Sequence, residues 1–157
     1  MKLNDKILQF KMNKITIVNR AMTPEEIKRM NSGFDELMLE EGVAIESSDR
    51  FSFVALKGNT FIGCSSGLAY KNGEHYSGWF LLTDLFVEKA YRSKGLGAQL
   101  LKSIEEQIRS LGVKHIWLWT SGDKALKFYR RQAYNKFTEM ENWYSDGSSR
   151  VGLRKNL

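Results

Sequence analysis

The run Tyr91-Arg92-Ser93-Lys94-Gly95-Leu96-Gly97-Ala98 sets two glycines and two cations between a segment that reads as a strand and one that reads as a helix. A glycine-rich turn that opens a helix leaves backbone N–H groups unpaired and aims the positive end of the helix dipole outward, which suits a phosphate. Glycine at positions 95 and 97 lets phosphate oxygens approach the amides, while Arg92 and Lys94 add charge at the same mouth. Upstream, the polar pair Thr83-Asp84 interrupts the otherwise apolar run Tyr76 to Val87. A polar pair in a buried strand costs stability unless it is satisfied or used. A surface turn with adventitious cations, and an aspartate bonded to a neighbour, are the plain alternatives.

The elements that must position these residues follow from periodicity. Lys14 to Val18 alternates as a first strand after a polar extension, residues 1–13. Thr23-Pro24-Glu25-Glu26 supplies an N-cap, a proline at the first helical position and a capping-box glutamate, and Ile27, Met30, Phe34, Leu37 and Met38 then recur at helical spacing. Strands are predicted over Phe51 to Leu56, Thr60 to Tyr70 and Tyr76 to Val87, joined by hairpin turns at Lys57-Gly58-Asn59 and Lys71-Asn72-Gly73-Glu74. Leu96, Leu100, Leu101, Ile104, Ile108 and Leu111 trace one face of a helix ended by Gly112. His115 to Thr120 reads as a buried strand, Asp123 to Gln132 as a short helix, and the rest from Tyr134 as two strands joined near Ser145-Asp146-Gly147. The order implies an α/β (α+β) fold in one domain over residues 1–157, with a mixed, mostly antiparallel central sheet flanked by helices.

Composition limits the partners. The net charge of +6 comes from 24 basic residues scattered among 18 acidic ones, which is compatible with a polyanionic ligand and does not indicate nucleic acid. Trp79, Trp117 and Trp119 sit in apolar strands, not along a basic stripe, so no nucleic-acid partner is expected. The lone Cys64 excludes an internal disulfide, and His75 and His115 lie far apart, so no dedicated metal site is expected. MKLNDKILQF lacks a leader pattern and no stretch approaches 18 apolar residues, which makes the cytoplasm the default location with no membrane partner.

Phosphate loops fall into recognisable classes. A Walker A string, GxxxxGK[ST], does not occur, and a dinucleotide fingerprint would need a small residue where Leu100 stands. Arg92, Gly95 and Gly97 form R-x-x-G-x-G instead, and ALKFYRRQAY, Ala125 to Tyr134, follows one strand later. Together these segments resemble the GNAT family of N-acetyltransferases, most clearly from Leu82 to Leu157.

The resemblance implies a splayed strand pair that binds acetyl-CoA, with acetyl-CoA as co-substrate. It implies that Leu85, Phe86 and Val87 offer backbone groups to the pantetheine arm and the acetyl carbonyl. Arg92, Ser93, Lys94, Gly95, Leu96, Gly97 and Ala98 would wrap the pyrophosphate, with Asp123 and Phe128 also on the coenzyme. Tyr129 matches the family tyrosine near the coenzyme sulfur. A phenol of pKa about 10 stays protonated at neutral pH and can donate to a thiolate whose conjugate acid is near 8.5. Asp84 matches a position that often contacts the substrate amine, where burial would raise its pKa, and Thr83 and Phe34 would line the acceptor site. Core packing is the alternative for Tyr129, where Ala125 and Phe128 in register favour the catalytic role. Asp35, Glu36, Glu40, Glu41 and Glu46 could attract a cationic amine, for which a solvated acidic helix face is the simpler account.

The sequence departs from the family at Gly122, where many relatives carry asparagine, and at Ala133, where they carry glycine. If position 133 needs positive φ, alanine costs roughly 1 kcal/mol. The resulting expectation is an acetyl-CoA-dependent N-acetyltransferase that acts by direct attack on a primary amine, with a small molecule as the favoured acceptor. A protein or peptide N-acetyltransferase and a non-catalytic acyl-CoA-binding sensor are the rivals, and a homodimer is allowed.

Overall fold

The computed structural model describes residues 15–157, so the extension over residues 1–13 and Lys14 lie outside the described residues. The chain divides into two compact units, one ending at Ile45 and the other beginning at Glu46.

The first unit carries helix α1, Pro24–Glu40. Its start is the predicted capping box. Thr23 Oγ1 accepts from the Glu26 amide at 3.2 Å, and Glu26 Oε2 accepts from the Thr23 amide at 2.8 Å. Arg20 grips the same glutamate at 2.6 Å. The guanidinium, and then the Thr23 amide, hold the Glu26 carboxyl at about 2. The strand expected over Lys14 to Val18 is not formed in its described part, where only Thr16 makes an isolated bridge. Alternation favours extended backbone, but a strand also needs a partner edge along its length.

The second unit is a six-stranded sheet of order β1-β2-β3-β4-β6-β5. Its strands are β1 Ser47–Lys57, β2 Thr60–Asn72, β3 His75–Val87, β4 His115–Thr120, β5 Asn135–Met140 and β6 Arg150–Asn156. Only β3 and β4 are parallel, so the sheet is mixed and mostly antiparallel as expected. Helix α2, Leu96–Ser110, buries Leu100, Leu101, Ile104 and Ile108 over the β1–β3 side. Each such side chain contributes about 1.5–3 kcal/mol of burial. Phe80, Leu82, Ile116, Leu118, Val151 and Leu153 complete the core from the sheet. Glu105 on α2 is buried but satisfied, accepting from Tyr134 Oη at 2.9 Å and from Lys155 Nζ at 2.7 Å.

Helix α3, Asp123–Arg131, begins after Gly122, whose φ of 81° and ψ of 143° fall where glycine alone is comfortable. It ends in a Schellman turn. The Tyr134 amide donates to the Tyr129 carbonyl at 3.0 Å and the Ala133 amide to the Arg130 carbonyl at 3.1 Å, with Ala133 at φ 66°. The Tyr129 and Tyr134 rings meet at 5.4 Å across that turn, the apolar contact the motif favours.

Strand β3 departs from regular pairing on both of its edges. Against β2, Asp84 faces Ser66 while Leu82 faces Gly67, so Thr83 is an extra, bulged residue. Against β4, pairing runs only from Trp79 to Leu81, opposite His115 to Trp117. Leu118 to Thr120 stay paired with β6. A bulge bends its strand and tightens the local twist, which explains why β3 leaves β4 just where Thr83 is inserted. The splayed pair is thus present, and its cause is a residue count.

Candidate active site

The splay frees one edge of β3, and the antiparallel ladder on the other edge decides which groups face the opening. The Glu88 amide donates to the Ile62 carbonyl at 2.9 Å, which makes Val87 opposite Gly63 a non-hydrogen-bonded pair. Alternation then makes Phe86 opposite Cys64 the bonded pair and Leu85 opposite Ser65 another non-bonded one. The N–H and C=O groups of Leu85 and Val87 therefore point toward the opening. The same alternation engages the backbone groups of Phe86 with Cys64. The Phe86 ring stacks on Phe61 at 6.1 Å.

The glycine loop closes this opening at the strand's end. Gly95 is the N-cap of α2 at φ 83°, a conformation that excludes most side chains. The first helical bond runs from the Gln99 amide to the Gly95 carbonyl at 3.1 Å, so the amides of Leu96, Gly97 and Ala98 precede the ladder. No side chain caps them and the first turn holds no acid, an arrangement that fits an external anion. Arg92 Nε donates to the Val87 carbonyl at 2.8 Å, and Lys94 Nζ to the Ala90 carbonyl at 3.0 Å. Ser93 takes φ 59°, so the turn uses two tight corners in close succession.

Gly97 marks where three segments converge. A Cβ built there would stand 3.6 Å from the Phe128 ring and 3.7 Å from Val87 Cγ2. The loop, the end of β3 and α3 are thus in mutual reach. Next to Phe128, Tyr129 is 8% exposed and meets its ring edge-on at 5.1 Å. Its hydroxyl makes no hydrogen bond among the described residues, and burial pushes the phenol up to about 12. Asp123, the first residue of α3, has its carboxylate at the positive end of that helix.

The burial expected of Asp84 is not found, since its side chain is 57% exposed. The bulge explains this: Thr83 and Asp84 both turn to the face away from α2. There Thr83 Oγ1 stands 2.6 Å from Asp84 Oδ2 and 3.2 Å from the Ser66 carbonyl, with one proton to serve the two. Arg50 completes the group, its Nη1 lying 3.5 Å from Asp84 Oδ2. Arg50 and Ser66 were missed from sequence, because no local motif on β1 or β2 announces a partner on a distant strand. Phe34 belongs to the apolar stripe of α1 in the first unit.

His115 stacks on Trp79 at 4.6 Å and shares Nδ1 with Asn156 Oδ1 at 2.9 Å, a structural setting. Among the described residues no group of three or more His, Cys, Asp or Glu side chains could hold a metal ion, and no helix is long and apolar enough to cross a membrane.

Residues 17–134 match the acetyltransferase (GNAT) family. Streptothricin acetyltransferase of Streptomyces lavendulae is 29% identical over 100 residues, covering 60% of this chain and 50% of that protein. The chain thus spans about half the length of the curated relative it matches. An acetyltransferase from Bacillus cereus ATCC 14579 shares the fold with a TM-score of 0.73 at 21% identity, over 88% of this chain and 96% of that one. An aminoglycoside 6'-N-acetyltransferase complexed with coenzyme A does so with a TM-score of 0.60 at 16% identity, over 85% of this chain and 92% of that one.

Proposed function

The chain belongs to the acetyltransferase (GNAT) family, and from that premise we propose that it transfers an acetyl group from acetyl-CoA to a primary amine of a small molecule by direct attack. The observation that carries the reading is the convergence at Gly97, where the uncapped start of α2, the open edge of β3 and the aromatic pair of α3 meet. The two relatives named for acetylation of streptothricin and of an aminoglycoside support a small-molecule acceptor.

The coenzyme brings the activated thioester. The amides of Leu96, Gly97 and Ala98, with Arg92 and Lys94 beside them, hold its pyrophosphate, and Leu85 offers an N–H and a carbonyl to the amides of its arm. The Val87 carbonyl is taken by Arg92, which leaves the Val87 N–H to polarise the acetyl carbonyl. Tyr129 supplies a hydrogen bond to the departing sulfur. A phenol at about 12 does not give up its proton fully to a thiolate whose conjugate acid is near 8.5. The proton that ends on sulfur is balanced by the one the amine nitrogen loses on acylation. Asp84 draws the amine in and accepts a hydrogen bond from it.

The test is a thiol-release screen of the purified protein with acetyl-CoA over amines, antibiotics, polyamines and peptides. Turnover of a free amine is expected. Tight coenzyme binding without turnover would favour the sensor reading, and acetylation confined to polypeptides would favour the protein-modifying one.

A further inference from the structure

The polar group at the β3 bulge uses only part of its two charged members. Arg50 Nη1 stands 2.9 Å from Ser66 Oγ, 2.9 Å from Thr83 Oγ1 and 3.5 Å from Asp84 Oδ2. All three contacts fall on one nitrogen, and Nη2 and Nε make no hydrogen bond among the described residues. Asp84 is engaged through Oδ2 alone, leaving Oδ1 without a partner among the described residues. Both side chains are open to solvent, Arg50 by 50% and Asp84 by 57%.

A structural pin for the bulge would need no more than one cationic nitrogen, which a lysine supplies. A guanidinium adds a second, planar edge that matches a carboxylate in a two-pronged bond. We propose that Arg50 and Asp84 together form a receptor for a zwitterion, so that the acceptor carries a carboxylate close to the amine that is acetylated. Asp84 Oδ1 takes the ammonium, which releases one proton to solvent before its nitrogen attacks and loses the second to the departing sulfur, and the free edge of Arg50 takes the carboxylate. The pair also disfavours a purely cationic acceptor, which would meet the Arg50 charge beside its own binding oxygen. Asp84 precedes Leu85, whose backbone groups face the opening between β3 and β4, so the receptor borders the proposed acetyl position. Ser52 Oγ, 2.8 Å from Ser66 Oγ, steadies the serine that holds Arg50.

This inference rests on the acyl-transfer reading, and one experiment separates the two. Acetylation rates are compared for matched acceptors: lysine and cadaverine, tyrosine and tyramine, leucine and isoamylamine. The expected result is a kcat/KM about tenfold or more higher for the amino acid of each pair, mostly through KM. Arg50→Gln should collapse that ratio toward one, and Arg50→Lys should restore part of it. Turnover that is equal or better on the decarboxylated amines overturns the receptor while the acetyltransferase reading stands. A ratio unchanged in a folded Arg50→Gln protein, checked by circular dichroism, overturns it too. No thiol release with any amine overturns both.

Discussion

Arg92 Nε donates to the Val87 carbonyl at 2.8 Å, so the side chain of the glycine loop is bonded to the backbone of the strand before it. The loop and the strand edge are therefore one unit. Arg92→Lys keeps the charge but loses the planar N–H at that point. Coenzyme A should bind the variant several-fold more weakly, by about 1 kcal/mol for the lost hydrogen bond, as read by titration calorimetry. An unchanged affinity would mean that charge alone matters there.

Ala133 holds φ 66° at the C-terminus of α3, a conformation that strains any side chain. Ala133→Gly should raise the unfolding free energy by about 1 kcal/mol in urea titrations. The relief exceeds the entropy cost of glycine only because the turn is left-handed. A destabilised variant would show that the methyl makes contacts worth more than the strain.

Tyr129→Phe should lower kcat by about tenfold or more while leaving coenzyme affinity nearly intact. The phenol is pushed up to about 12, so the wild-type rate should show no fall through pH 10 from loss of its proton. Stability carries the same signature. The unfolded tyrosine ionises near 10 and the folded one near 12, so its contribution is complete below 10 and fades as pH rises toward 12. Urea midpoints of wild type and Tyr129→Phe at pH 9 and pH 11 measure that difference, which should shrink in the variant.

Gly95 and Gly97 should answer alanine differently. Gly95→Ala forces a side chain into φ 83° and should cost about 1 kcal/mol of stability. Gly97→Ala places its methyl in ordinary contact with Phe128 and Val87, so the fold should hold. A matching loss of stability in both would argue that the space beside Gly97 is tighter than its distances suggest.

The glycine loop, the capping box of α1, both hairpin turns and the helix after Gly122 were legible because each is written in neighbouring residues. Spacing singled out Tyr129 as a candidate, and the structure buries it. What was hidden is pairing. Nothing in the run YSGWFLLTDLFV marks Thr83 as unpaired, since a bulge is a mismatch in count between two strands that are read separately. That same count turned Asp84 to the exposed face and left Phe86 bonded to Cys64. Arg50 was hidden for a related reason, because its partners lie on two other strands and meet it only once the register is set.

The opening between β3 and β4 leaves a strand edge short of its neighbour for about half its length. Such an edge invites a substitute, and on the proposed reading the coenzyme's arm is that substitute, a non-peptide strand completing the ladder. Hydrogen exchange gives this a residue-level form. The amides of Leu85 and Val87 should exchange readily in the free protein and slow when the ligand enters, while the amide of Phe86, already held by β2, should be slow in both.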